Sequence, residues 1–200
     1  MFQLLLQRMP VGICRKVVSF RRWQDSYGCL FGRLLLKRAL LDEAGQDRLV
    51  ELRYSPLGRP YFPGGPDFNI SHSGNRVILV LSAEGRVGID LEEINELQIH
   101  EFRPQFSSKE WSAICKAGSP LHQFYQYWTA KESVLKAEGM GLNWEMAEVD
   151  VTGETVILKN KIWNLRSIDL FSDYCCHIAY DGENPDMDVK EFLPVELALE

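Results

Sequence analysis

Two hydrophobic periods divide this chain. Residues 26–41 carry Tyr27, Leu30, Phe31, Leu34, Leu35 and Leu41 at helical spacing, so a helix is predicted there. Residues 2–18 read as one or two short strands, and 49–54 as another. Proline and glycine then crowd Ser55-Pro56-Leu57-Gly58-Arg59-Pro60 and Pro63-Gly64-Gly65-Pro66, which predicts a rigid irregular loop. Residues 77–83 and 86–92 are strands joined by Glu84-Gly85, a hairpin pattern. In the second half, Ser107 and Glu110 have the spacing of a capping box and start a helix to about residue 117. Ser119-Pro120 is a cap and first-turn pair for a longer helix ending near Gly139. Residues 148–152 and 155–159 read as a second hairpin and 175–180 as an inner strand; the acidic tail from Asp181 is expected to be partly mobile. Strands plus one long helix in each half make the class α+β. The halves are expected to be two similar lobes, residues 1–100 and 101–200, although no sequence repeat links them.

Composition narrows the picture. The 200 residues are 46% hydrophobic and 25% charged, a normal balance for one folded unit or two small lobes sharing a core. The longest aliphatic run, 77–81, is far too short to span a bilayer, and residues 2–6 lack the leader and cleavage features of a signal peptide. Five cysteines without CxxC spacing argue against a disulfide framework or zinc site and fit a reducing cytoplasm. Net charge is −6, yet residues 1–40 hold eight Lys or Arg against one acid, Asp25. That asymmetry fits a local anion site, not a nucleic-acid footprint; a solvated basic helix face with Arg33, Lys37 and Arg38 reads equally well.

Three segments place polar chemistry inside apolar runs: Phe68-Asn69-Ile70-Ser71-His72-Ser73, Gly88-Ile89-Asp90-Leu91-Glu92, and Trp128-Thr129-Ala130-Lys131-Glu132-Ser133-Val134-Leu135-Lys136. On a strand, Asp90 and Glu92 share one face and repel unless a cation or base sits between them, and magnesium is the natural occupant. The same pair would also sit on an exposed strand end as solvated acids. Glu132 borders the apolar stripe of Phe124, Trp128, Val134 and Leu135, where it can complete a metal site. With Lys136 it can equally form a surface i,i+4 ion pair. Gly139-Met140-Gly141 permits a sharp exit from that helix. His72 with flanking hydroxyls and Gly74 makes a donor set for a phosphate, against the plainer reading of a structural histidine. No Gly-x-Ser-x-Gly elbow, Walker loop, dinucleotide fingerprint or HExxH occurs. A divalent cation held against a phosphate ester is the leading chemistry.

These segments, in this order, resemble the SHS-type segment, G-I-D-h-E strand and W-x-x-K-E-S-x-x-K helix of the 4′-phosphopantetheinyl transferases, in the subfamily that activates peptide synthetases and similar carrier proteins. Gly58-Arg59-Pro60 resembles the family's loop before the SHS segment, and the likeness covers about residues 20–142. It implies two α+β lobes related by a pseudo-twofold in a single chain, with coenzyme A in the cleft between them. The first lobe would carry the coenzyme A contacts and metal-binding strand, the second the catalytic helix and carrier-protein contacts. It implies Mg2+, or Mn2+, on Asp90, Glu92, Glu132 and the pyrophosphate. His72 and Lys136 fall on the phosphates, with Ser71 and Lys131 among the coenzyme A contacts and Arg59 near the adenine or 3′-phosphate.

The implied reaction is Mg-dependent holo-[acyl-carrier-protein] synthesis. A serine hydroxyl of an acyl or peptidyl carrier protein attacks the β-phosphorus of coenzyme A and 3′,5′-ADP leaves, in service of fatty acid, polyketide or nonribosomal peptide biosynthesis. Glu132 is the base, directly or through a metal-bound water, with Lys136 and Asp90 completing the catalytic set. The partners implied are coenzyme A and the carrier protein, with no nucleic acid and no membrane, and the enzyme is expected to be a monomer. One departure stands out. Gly28-Cys29 replaces the arginine and hydroxyl residue that relatives carry in the first long helix, which leaves Lys16 as the expected 3′-phosphate contact. The alternatives are another Mg-dependent nucleotide phosphotransferase and a non-catalytic coenzyme A or carrier-binding module.

Overall fold

A computed structural model describes residues 1–140, 145–183 and 185–198. The architecture is α+β, built from helices α1 (Phe2–Leu6), α2 (Val11–Val18) and α3 (Trp23–Ala44) and short strands β1 (Arg53–Tyr54) and β2 (Pro60–Tyr61). Strands β3 (Asp67–Ser73), β4 (Arg76–Ser82) and β5 (Val87–Glu93) follow, then α4 (Ser108–Lys116) and α5 (Pro120–Glu138). The chain continues through β6 (Thr155–Leu158), β7 (Lys161–Ser167) and β8 (Tyr174–Tyr180) to α6 (Pro194–Ala198).

The first segment is helical where strands were expected. Leu5, Met9, Ile13 and Val17 recur every four residues and all are buried, against Leu30, Leu34, Leu36 and Leu40 of α3 and Phe68 of β3. The short apolar run of 2–6 masks this longer period. On α3, Gly28 and Gly32 sit one turn apart on the face that meets β3. A Cβ on Gly28 would lie 2.6 Å from the His72 ring, and one on Gly32 would lie 2.7 Å from Ile70. Bare backbone at these two positions lets β3 pack close to the helix.

The strands at 76–82 and 87–93 are where alternation placed them, but they do not form a hairpin. Strand β4 pairs antiparallel with β3, and β5 pairs antiparallel with β8. The larger sheet runs β5-β8-β7-β6, so it takes one edge strand from before residue 100 and three from after it. All seven residues of β8 are buried, as an inner strand requires. The last hairpin lies at 155–167, later than expected, because Lys159 and Asn160 adopt φ of 50° and 62° and close a two-residue turn. Residues 146–148 are a single 3₁₀ turn, not a strand. The tail folds back: Leu197 of α6 is buried in the N-terminal core.

Both helix starts were legible. Ser107 and Glu110 form a complete capping box on α4. Ser119 caps α5 with Pro120 in its first turn, and Gly139 ends it at φ 78°. Gly141 and Leu142 lie outside the described residues. Phe124 and Trp128 of α5 stack at 5.8 Å among Phe102, Phe106 and Trp111, filling the space under α4. Among the described residues no helix is long and apolar enough to cross a membrane, and all five cysteines are free thiols.

Candidate active site

The site lies where α5 crosses β5. Gly88 allows this: a Cβ there would collide with the Ser133 carbonyl and the Ala137 amide, so only glycine lets strand and helix touch. Asp90 follows two residues later, only 2% exposed. Its Oδ1 accepts from the Ser71 hydroxyl at 3.0 Å and from the Lys136 ammonium. The same Lys136 Nζ donates to Ser71 Oγ at 3.0 Å. Asp90 Oδ2 is buried without any partner. An anionic oxygen in that condition is costly unless something cationic or hydrogen-bonding reaches it.

Glu92, next on the same face, accepts from the Ser73 hydroxyl at 2.8 Å. Burial, then the nearby Asp90 charge, pushes its carboxyl up to about 7, and Glu132 adds to the repulsion. The Glu132 carboxyl is also raised, by burial and then by Asp90, with Lys136 opposing. The three acids are therefore electrostatic neighbours with too few positive charges between them. Among the described residues, no three His, Cys, Asp or Glu side chains converge into a ready metal cage. Hard oxygen donors with one orphaned, partly assembled, nonetheless suit a magnesium ion that completes its shell with water and phosphate.

His72 points the other way from its serine neighbours, its ring against Gly28 of α3. Burial lowers its pKa while Asp25 pulls it upward, and the Lys136 and Asp90 charges are also felt. Three elements thus bring Ser71, Asp90, Glu92, Glu132 and Lys136 together, while His72 lies on the opposite side of β3, within electrostatic reach of Lys136 and Asp90.

Three expected contacts are not at this place. Lys131 is fully buried and saturated: its ammonium meets Glu110 Oε2 at 2.8 Å and the carbonyls of Met146 and Val149 at 2.9 and 2.5 Å. It has no surface to offer a phosphate, and the sequence expectation is corrected. Arg59, 8% exposed, donates to Asp67 at 2.5 Å, to the Val87 carbonyl at 3.0 Å and to the Lys136 carbonyl. Its guanidinium ties the C-terminal turn of α5 to β3 and β5, where the helix dipole favours a cation. Beside it opens a cavity of about 320 Å³ lined by Ser55, Arg59, Tyr61, Pro66 and Arg86. Lys16 is exposed on α2, its ammonium 5.5 Å from the Phe20 ring centre, and its charge is felt at Cys29 of α3. That puts it on the flank of α3, away from the acids.

Sequence reasoning passed over Asp67, and it read Asn69 and Ser73 only as part of the segment around His72, not as links between strands. Strands β3 and β5 lie side by side without backbone pairing. Instead, side-chain oxygens of β3 take the β5 amides: Asp67 from Val87 at 2.9 Å, Asn69 from Ile89 at 3.1 Å, Ser71 from Leu91 at 3.3 Å and Ser73 from Glu93 at 3.1 Å. The polar residue at every second position of Asp67-x-Asn69-x-Ser71-x-Ser73 was the available signal. His177, paired across the sheet with Asp90, was also missed. Burial lowers its pKa to about 4, and its Nδ1 lies 2.8 Å from Thr129 Oγ1.

Comparisons with known proteins agree with this picture. Residues 86–179 match the model of the 4′-phosphopantetheinyl transferase superfamily. The chain is 28% identical over 155 residues to an L-aminoadipate-semialdehyde dehydrogenase-phosphopantetheinyl transferase of Xenopus laevis, covering 68% of this chain and 51% of that one. It is 38% identical over 130 residues to the 4′-phosphopantetheinyl transferase AcpT of Salmonella typhi, covering 62% of this chain and 64% of AcpT. The 4′-phosphopantetheinyl transferase Sfp of Bacillus subtilis is 32% identical over 136 residues, 65% of this chain and 58% of Sfp. The matches thus span between about half and two thirds of these relatives' lengths. The matched segment holds both Asp90-x-Glu92 and the Lys131-to-Lys136 helix, so the likeness to the 4′-phosphopantetheinyl transferase superfamily falls on the site itself.

Proposed function

We propose that this protein transfers the 4′-phosphopantetheine group of coenzyme A to a serine hydroxyl of an acyl or peptidyl carrier protein, releasing 3′,5′-ADP. The observation that carries the reading is Asp90. It is a buried acid with one oxygen held by Ser71 and Lys136 and the other unpartnered, inside the family's own strand motif.

Asp90, Glu92 and Glu132 would hold Mg2+, or Mn2+, together with the pyrophosphate. The ion, when bound, supplies positive charge to the phosphoryl oxygens. Lys136 reaches the same oxygens from its place against Asp90, since its side chain is 29% exposed. His72 faces the flank of α3, where Lys16 offers a point charge to the 3′-phosphate. The cavity beside Arg59, with Tyr61 and Arg86 on its walls, suits the adenine end of the nucleotide.

Glu132 takes the proton of the incoming serine. Its raised pKa favours this, because a carboxylate with a pKa nearer neutrality is a stronger base that is still ionised at work. The serine oxygen forms a bond to the β-phosphorus as the bond to the 3′,5′-ADP oxygen breaks. A pseudo-twofold pair of lobes with the nucleotide between them, working as a monomer in a reducing cytoplasm, completes the proposal.

The test is intact-mass spectrometry of apo carrier proteins incubated with coenzyme A, magnesium and the full chain. A mass gain of one phosphopantetheine, absent with Glu132→Gln, supports the reading. No gain on any fatty acid, polyketide or peptide synthetase carrier, from an enzyme that binds coenzyme A, would sink it.

A further inference from the structure

The four side-chain rungs between β3 and β5 are not chemically alike. Asp67 and Asn69 accept the amides of Val87 and Ile89, and the residues just before those amides are Arg86 and Gly88. Ser71 and Ser73 accept the amides of Leu91 and Glu93, and the residues just before these are the acids Asp90 and Glu92. A hydroxyl differs from a carboxylate or amide oxygen in carrying its own proton beside its lone pairs. Ser71 donates that proton to Asp90 Oδ1 at 3.0 Å, and Ser73 donates its own to Glu92 Oε2 at 2.8 Å. Serine therefore stands at the two rungs that have a carboxylate within reach, and purely accepting oxygens stand at the two that do not.

The Ser71 hydroxyl is also full. It accepts from Leu91 N–H and from Lys136 Nζ and donates to Asp90, which uses its proton and both lone pairs. It has nothing left to donate to a phosphate.

We propose that Ser71 and Ser73 are positioning residues. Each hydroxyl, fixed by a β5 amide, gives its one proton to one oxygen of Asp90 or Glu92 and so presents that carboxylate's second oxygen to the divalent cation. The unpartnered Asp90 Oδ2 is the oxygen so presented. The inference rests on the reading that Asp90 and Glu92 hold a divalent cation, and it moves Ser71 from the coenzyme A contacts to the support of the acids. Hydrogen-bonding partners behind metal ligands typically change metal affinity by about 10- to 100-fold.

The experiment is a Mn2+ titration of the full chain in the presence of coenzyme A, followed by electron paramagnetic resonance of free Mn2+, with thermal unfolding measured on the same samples. Ser73→Ala is expected to weaken Mn2+ at least about tenfold, and Ser73→Thr, which restores the hydroxyl, to recover most of it. Asn69→Ala breaks a rung with no acid beside it. It is expected to lower the unfolding temperature while leaving Mn2+ affinity within about twofold of the parent's. Ser73→Ala binding Mn2+ as tightly as the parent overturns the proposal. So does an equal loss of affinity in Asn69→Ala, which would make the rungs merely structural. A parent protein that binds coenzyme A but no Mn2+ overturns the cation reading itself, and the proposal with it.

Discussion

Lys131 and Lys136 leave the same helix five residues apart, which on 3.6 residues per turn sets them about 140° from each other. Lys131 goes inward to Glu110, both side chains 0% exposed, and the pair is completed on every side. Glu110 also takes the amides of Ser107 and Val151, and Lys131 the carbonyls of Met146 and Val149. Lys136 goes to Asp90 at the site, where the acid keeps one oxygen without a partner and two further carboxyls crowd it. The same residue types give a structural rivet in one case and an electron-rich, under-satisfied cluster in the other. What separates them is whether the hydrogen-bonding capacity is filled, and an unfilled buried acid is where a ligand is awaited.

The largest effect is expected from breaking the sealed pair. Glu110→Ala leaves a lysine buried without its counter-charge and should cost about 3–5 kcal/mol of stability in urea unfolding. Glu110→Leu combined with Lys131→Met should recover most of that, since both charges then leave the interior together. A small loss in Glu110→Ala would mean that water reaches Lys131.

Breaking the other pair should do the reverse. Asp90→Asn removes the under-satisfied charge and frees a lysine that already touches solvent, so stability should change by less than about 1 kcal/mol. Carrier modification should nonetheless fall at least about a hundredfold, roughly 2.7 kcal/mol of barrier. Comparable losses in stability and turnover would make Asp90 a structural acid like Glu110.

The smallest and sharpest test is pH. The Glu92 carboxyl is raised to about 7 in the folded chain from its ordinary value of 4.5. The folded state therefore holds this proton more tightly than the unfolded state does. Its contribution to stability is full below about pH 4.5 and is lost as pH rises through about 7. Unfolding free energy of the metal-free protein should fall across that window, and Glu92→Gln should flatten the slope. Added magnesium should oppose the fall at the alkaline end. A metal-free protein whose stability rises from pH 5 to 7 would contradict the crowding.

Several of these distinctions could be read from the chain. The capping box at Ser107, the length of α5 and the strands on either side of Gly85 followed from local pattern, and residues 71, 90, 92, 132 and 136 stand together, with His72 turned toward α3. The burial of Lys131 was also readable, since Val134 and Leu135 stand three and four residues on and share its face. The quoted motif hid it by making every polar residue look functional. Strand pairing could not be read in the same way. Strand β5 takes β8, some ninety residues away, over its neighbour β4, a long-range choice that local alternation does not encode. The side-chain ladder was visible only as a polar alternation with no partner named.

The central claim is that Asp90 Oδ2 is the open position of a cation site. Crystals grown with coenzyme A and Mn2+ would test it by anomalous scattering. The expected result is a manganese peak about 2.1–2.3 Å from Asp90 Oδ2, with Ser71 still donating to Oδ1 and pyrophosphate oxygens completing the shell. Bound coenzyme A with no manganese at Asp90, or with Oδ2 turned onto a protein donor, would contradict it.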